Sequence, residues 1–411
     1  MPSSVNRREF LTASAGLAAG LAVAVSSADA QTSGRGGGRS QAATTPAAPL
    51  TFKTKLHKAL IARPTEEDLT RMKAAGFEGV EGRASVTPED AAKMRVIADK
   101  LGMRIHSVLY GWALFNSPNK ADVDRTFAES QAALRTAEAF GADAVLLVPC
   151  HIGERNGVGS PVTMPRAWEF QIEYDDKTGH LTRVVYSDNA RFADYIKAHN
   201  HATDTSREWV SKLIPLAEAS KVVIALENVG NRLWVTPDIF AHFVRSFRSP
   251  WVKAYYDIGN HVRYAPPEQW ILALGDLLSK IHVKDYKVNP ADPNGMGQGV
   301  NIREGDVRWP VLRQALEAVN YNGWMTIESN GDIPLEERNR RLDLIISGAQ
   351  ARLPARPGGF DDTDSSESAR VLDGLRGPGG GHGPLRARGR ANPRRRRTRT
   401  RRGAGHASGA G

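Results

Sequence analysis

The chain has 411 residues, 41% of them hydrophobic, which is enough for a sizeable buried core. Its one cysteine, Cys150, excludes an intrachain disulfide and, behind the apolar run Leu146-Leu147-Val148-Pro149, reads as a small buried hydrophobe. The net charge of +10 sits at the ends: from Pro354 onward 13 Arg face five Asp/Glu, residues 1–53 carry a net of +3, and the middle is left at −1, which argues against a nucleic-acid surface there.

Asn6-Arg7-Arg8-Glu9-Phe10-Leu11-Thr12 is a twin-arginine pattern ahead of an apolar stretch, Ala13 to Val25, that is too short to span a membrane. Ala28-Asp29-Ala30 follows as a small-x-small cleavage site. Residues 1–30 are therefore expected to be a signal peptide cut after Ala30, releasing a periplasmic protein that meets the membrane only during export. Twin-arginine signals resemble those of proteins exported already folded, so a metal would be selected in the cytoplasm, away from the affinity order that favours Cu and Zn. Residues 31–53 read as a Gly/Ser/Ala/Thr/Pro linker.

From here to about residue 353 short apolar runs alternate with amphipathic stretches, the pattern of parallel strands joined by helices. Strands are predicted at 55–61, 77–82, 103–110, 144–149, 222–228, 253–258, 280–285 and 323–328. Eight of them imply an α/β fold closed into a (β/α)8 TIM barrel over residues 54–353. Thr65-Glu66-Glu67-Asp68 starts one helix with a cap and an acidic first turn. Thr87-Pro88 and Thr236-Pro237 start two more with Pro at the first helical position.

Residues 151–200 are too long for an ordinary strand-to-helix loop. Within them Trp168–Tyr174 and Leu181–Tyr186 alternate around Asp175-Asp176-Lys177-Thr178-Gly179, which predicts a β-hairpin insertion after strand 4. It belongs on the C-terminal face, either as a wall over the substrate or as decoration. The tail, 354–411, is Gly/Pro/Arg-rich without periodicity, and both termini are expected to be disordered.

Four predicted strands end in metal-capable residues: Ala225-Leu226-Glu227-Asn228, Tyr255-Tyr256-Asp257-Ile258, Lys280-Ile281-His282-Val283, and Thr326-Ile327-Glu328. Barrel closure brings such ends together around one axis, with adjacent strands about 4.8 Å apart. Three carboxylates there would repel unless a cation sat between them, whereas three carboxylates and one imidazole suit a divalent ion with open positions for substrate oxygens. Glu227, Asp257, His282 and Glu328 are therefore the expected ligands of one divalent metal ion. Mn is favoured by the carboxylate-rich shell, and Co, Mg and Zn also fit.

With these motifs, together with Glu304-Gly305-Asp306-Val307 and Tyr321-Asn322-Gly323-Trp324, the segment 54–350 resembles the xylose-isomerase-like barrels, and within them the sugar phosphate isomerase/epimerase family. The resemblance implies the four ligands named above. It also implies that Glu227 and Glu328 exchange the substrate proton on opposite faces through a metal-bound enediolate. Those epimerases carry a substrate-contacting His three residues after the Asp ligand; here that position is Asn260, and His261 follows.

Further candidate substrate contacts are Glu81 (facing the pocket or pairing with an Arg), His106 (a contact or an interior histidine), Lys284 and Trp112. His151, Lys287 and Trp234 are weaker. The expected activity is that of an isomerase or epimerase of a keto-sugar or related polyol. The alternatives are a metal-dependent lyase or dehydratase acting by β-elimination on a 3-keto-glycoside or cyclitol, and a non-catalytic sugar-binding barrel. Export argues against a phosphorylated substrate, and together with the near-neutral barrel it argues against the DNA-repair branch typified by endonuclease IV. The partner is a small sugar-like molecule; the oligomeric state stays open, a homo-oligomer included.

Overall fold

The computed structural model describes residues 51–153, 161–293, 295–328 and 333–349. The expected signal peptide, the linker up to residue 50 and the Arg-rich tail lie outside them.

The first four strands are β1 (Leu56–Ile61), β2 (Gly79–Arg83), β3 (Arg104–Trp112) and β4 (Ala144–Val148). A small hairpin, β5 (Glu173–Tyr174) and β6 (Leu181–Arg183), precedes β7 (Val223–Glu227), β8 (Val252–Asp257) and β9 (Leu278–Val283). A second hairpin, β10 (Asp285–Val288) and β11 (Gly297–Val300), precedes β12 (Gly323–Ile327). Strands β1-β2-β3-β4-β7-β8-β9-β12 close into a parallel barrel in that order, the expected (β/α)8 architecture. The helices are α1 (Glu66–Ala74), α2 (Pro88–Lys100), α3 (Lys120–Phe140), α4 (Ala193–Ser220), α5 (Pro237–Arg245), α6 (Pro267–Leu274), α7 (Trp309–Ala318) and α8 (Leu335–Ile346). Among the described residues no helix is long and apolar enough to cross a membrane.

Local chemistry sets the helix starts. The Thr65 and Thr87 hydroxyls accept from the amides of Asp68 and Asp90, each at 3.2 Å, satisfying donors that the helices themselves leave unpaired. Thr236 sits at the corresponding place before Pro237, but its hydroxyl makes no capping bond. Glu317 on α7 accepts from Lys53 N and from both Thr54 N and Oγ1, and so ties the entry to β1 onto the helical layer.

The alternation of each strand divides the core in two. One set of side chains packs outward against the helices, for example Leu226, Tyr256, Ile281 and Ile327. The other fills the barrel: Ala144, Leu146, Val148, Ala225 and Tyr255 form a separate interior cluster. At the base of the interior Trp324 stacks on His106, with ring centroids 4.5 Å apart, and Lys280 Nζ pairs with Asp143 at 2.6 Å. A Cβ on Gly79 would lie 2.6 Å from the Trp324 ring, so this floor needs glycine there.

The predicted insertion after strand 4 is present, although its ladder is shorter than the alternation suggested. β5 and β6 pair antiparallel, Ala167–Glu169 is a 3-10 turn, and α4 already begins at Ala193. Asp175 Oδ1 accepts from Lys177 N and Thr178 N at 3.0 and 2.8 Å and shapes the turn. The β10–β11 hairpin was not anticipated, because Gly297-Gln298-Gly299-Val300 lacks the apolar alternation that marks a strand.

Candidate metal centre

Four neighbouring barrel strands deliver the candidate ligands. β7 ends in Glu227, β8 in Asp257, β9 carries His282 next to its end, and Glu328 directly follows β12. Asp257 and His282 are register partners across β8 and β9, and Thr326, two residues before Glu328, pairs with His282 across β9 and β12. Because side chains two apart share a face, all four point into the same interior layer. One ligand atom from each lies within 4.8 Å of the others.

The polar atoms there are aimed at a common centre rather than at one another. His282 Nδ1 is 3.6 Å from Glu227 Oε1, 4.0 Å from Asp257 Oδ2 and 3.2 Å from Glu328 Oε2. Of these atoms His282 Nδ1 makes no hydrogen bond, and Asp257 Oδ2 and Glu328 Oε2 meet only the Lys284 ammonium outside the group. Buried polar groups are nearly always satisfied, so an unbonded imidazole nitrogen converging with carboxylate oxygens from three strands fits a divalent cation.

The other atoms of His282 and Asp257 are held. His282 Nε2 meets Glu81 Oε2 at 2.6 Å, and Glu81 Oε1 accepts from Ser107 Oγ at 3.1 Å. The Glu81 contact fixes the proton on Nε2 and turns Nδ1 toward the centre, the arrangement usual behind a metal-binding histidine. Asp257 Oδ1 accepts from Gly259 N and Asn260 N, both at 2.8 Å. Asn228 clasps the Asp257 backbone in both directions: its Nδ2 donates to Asp257 O at 2.9 Å and its Oδ1 accepts from Asp257 N at 2.6 Å. Lys284 Nζ lies 3.2 Å from Asp257 Oδ2 and 2.8 Å from Glu328 Oε2, and donates to Asn260 Oδ1 at 3.2 Å.

Electrostatics follow from burial and these neighbours. Burial pushes Asp257 up to about 8 and also raises Glu227. Glu328 is half-buried, yet the charges of Lys284 and His282 hold it well below the usual carboxylate range. Burial alone would lower His282; Tyr255 and the carboxylates of Glu81 and Glu328 outweigh it and hold the imidazole well above its ordinary value. Asp257 and Glu227 are thus carboxylates that burial and their acidic neighbours keep from ionising freely, a strain that a divalent ion would relieve.

A sequence profile described as the xylose isomerase-like TIM barrel matches residues 69–346. The chain belongs to that family. Relatives are distant. A protein of Escherichia coli (strain K12) named as an L-ribulose-5-phosphate 3-epimerase, SgbU, is 26% identical over 136 residues, 33% of this chain, and the match spans only about half (48%) of that relative's length. Two solved structures share the fold. The 3-keto-D-glucoside 4-epimerase YcjR of E. coli has a TM-score of 0.51 at 14% identity, covering 71% of this chain and 99% of that one. A xylose isomerase domain protein of Planctomyces limnophilus has a TM-score of 0.50 at 14% identity, covering 72% and 96%.

Within this family's barrel the other predicted contacts sort into two groups. Asn260 and Lys284 are at the centre; Asn260 Nδ2 is 3.4 Å from Glu227 Oε1. Trp112, at the end of β3, is half-buried against the interior cluster and 6.3 Å from the ring of His151. Three candidates are corrected. Glu81 is fully buried with both oxygens engaged, so it supports His282 instead of meeting substrate. His106 is fully buried in the floor, bonded to Thr326 Oγ1 at 2.9 Å, and burial keeps it neutral. His261 turns away: its Nε2 donates to Val229 O at 3.1 Å, its ring lies among Tyr264 and Trp270, and burial lowers it to about 3. Of the weaker candidates, Trp234 is buried outside the barrel, stacked on Phe243 at 3.9 Å. Cys150 is buried beside Ser206 and pushed up to about 12, which leaves the thiol inert. The roles of Ser107 and Asn228 were not foreseen; only the inward parity of β2 and β3 and the position of Asn228 next to Glu227 could have hinted at them.

Proposed function

We propose that the protein is a divalent-metal-dependent isomerase or epimerase of a keto-sugar or related polyol. The observation that supports this reading best is the convergence of Glu227, Asp257, His282 Nδ1 and Glu328 within 4.8 Å at the C-terminal end of the barrel. Glu227, Asp257, His282 and Glu328 would hold the cation, with Mn favoured by three oxygen ligands. When bound, such an ion supplies Lewis-acid polarisation of a carbonyl and its neighbouring hydroxyl, acidifying the C–H between them.

The rest is work for the chain. Glu227 and Glu328 come from strands on either side of Asp257 and His282, so a substrate carbon between them faces a carboxylate on each side. One carboxylate removes the proton and its counterpart returns one to the opposite face. Glu328, beside Lys284 at 2.8 Å, and Glu227 on the opposite side are the two candidates for these roles. Lys284 is placed to balance charge developing on substrate oxygen. Asn260 offers an amide at the position where the epimerases of the family carry histidine. The twin-arginine pattern at Arg7-Arg8 supports periplasmic action on a free or glycosidically linked sugar.

The test is incubation of Mn-loaded protein with a panel of keto-sugars and 3-keto-glycosides in deuterated water, followed by product analysis. Incorporation of solvent deuterium into an isomerised sugar is expected. A new ultraviolet-absorbing unsaturated product would assign a lyase instead. No exchange into any bound sugar would leave a non-catalytic binding barrel.

A further inference from the structure

Beyond the metal centre, three separate elements bring aromatic rings and an arginine together on the same face of the barrel. The loop after β8 supplies Arg263 and Tyr264, the β10–β11 hairpin supplies Tyr286 and Met296, and the insertion after β4 supplies Trp168 and Phe170. The Arg263 guanidinium lies 4.7 Å from the Tyr264 ring centroid and 5.9 Å from that of Tyr286. Phe170 meets Tyr264 edge-on, with centroids 5.6 Å apart. Trp168 packs against Gly295, where a Cβ would come within 2.7 Å of the indole, so the insertion is clamped to the hairpin tip through a glycine.

Arg263 Nε is buried without a hydrogen bond, while the guanidinium has the hydroxyls of Tyr264 and Tyr286 as partners and pairs with no carboxylate among the described residues. A half-buried guanidinium has five donors, and two phenol oxygens leave some of its terminal N–H groups for a further acceptor. Trp168 is 54% exposed and Met296 40%, neighbours on a rim where an isolated domain gains nothing by showing them to water.

Chain connectivity ties the cluster to the centre. Arg263 is three residues past Asn260, and Tyr286 is two past Lys284. At about 3.3 Å per extended residue, Tyr286 lies at most roughly 7 Å further out than Lys284, about one sugar unit.

We propose that this cluster is an outer subsite for the second ring of a glycoside, so that the substrate is a keto-sugar still joined to another sugar. Flat C–H faces of a pyranose stack on an exposed indole, and ring hydroxyls and the bridging oxygen accept from a guanidinium. This rests on the reading of the centre as a keto-sugar site and extends it outward. The β4 insertion then acts as the far wall of the substrate groove.

The test uses the full, metal-loaded chain with Trp168→Ala and Arg263→Met. Turnover is compared on a free 3-keto-hexose and on the corresponding 3-keto-disaccharide. Both variants are expected to raise KM for the disaccharide by about tenfold with kcat retained, and to leave the free hexose unaffected. Equal losses on both substrates, or no change on either, would overturn the proposal. Trp168 is on the surface, so its variant answers even if Arg263→Met folds poorly. If neither keto-sugar reacts, the catalytic reading fails on its own, and calorimetry with the unoxidised disaccharide and monosaccharide still decides the subsite. A preference for the disaccharide that vanishes in Trp168→Ala upholds it, and the absence of any preference in the parent protein refutes it.

Discussion

Replacing Glu81 with Gln should weaken divalent-metal binding while leaving the barrel folded. Glu81 Oε2 is 2.6 Å from His282 Nε2, and its other oxygen accepts from Ser107 Oγ at 3.1 Å, all within the closed interior. Gln has the same shape and can still accept the Nε2–H bond through its carbonyl, so no cavity forms and only the charge is lost. Removing a carboxylate behind a ligating histidine typically costs about 10- to 100-fold in metal affinity, which is roughly 1.4–2.7 kcal/mol. Competition for Mn against a chromophoric chelator measures it, with circular dichroism and thermal melting of the metal-free proteins as the control for folding. An unchanged Kd in a folded variant would refute the reasoning, because Glu81 would then be a packing residue with no hold on the imidazole.

Glu227→Gln and Glu328→Gln should each slow solvent-proton exchange by about 10²- to 10⁴-fold, with metal content measured alongside; a metal-loaded variant that exchanged at the parental rate would remove that carboxylate from the mechanism. Asp285 accepts from the amides of Tyr286, Arg303, Gly305 and Val307 and from Trp309 Nε1, so Asp285→Ala should strand buried donors and cost about 3 kcal/mol in urea unfolding. A loss well below 1 kcal/mol would show that water replaces those bonds. Glu317 is pulled down to about 2 by its hydrogen bonds from Thr54 and Lys53. A depressed carboxylate contributes stability that is present above its ordinary value near 4.5 and is lost as pH falls toward 2. Melting temperatures of the parent and Glu317→Gln should therefore converge across that window; curves that stay parallel would contradict the anchoring role.

The barrel and the grouping of the four candidate ligands were legible because both rest on patterns that tertiary structure cannot easily override. A strand buried on both faces needs a continuous apolar run, and an inward carboxylate at its end breaks that run at a recognisable place, as Glu227 and Asp257 do. What lay behind the ligands was not legible. Glu81 reaches His282 across the barrel and Ser107 reaches Glu81 through strand register, and register across β2 and β3 contains an irregularity that no sequence pattern announces. His106 and His282 both sit on apolar strands; only depth along the barrel axis separates a floor residue from a ligand. His261 follows Asn260 directly, yet the turn after β8 sends one into the centre and the other into the helical layer. The β10–β11 hairpin was not legible because its second strand is half glycine and has no apolar face.

The account stands on a cation held jointly by four strand ends. Anomalous diffraction from crystals grown with Mn²⁺ tests this most directly. One peak within about 2.5 Å of Glu227, Asp257, His282 Nδ1 and Glu328 is the expected result. Full Mn²⁺ loading with the peak elsewhere, or no peak at those four residues, would contradict it.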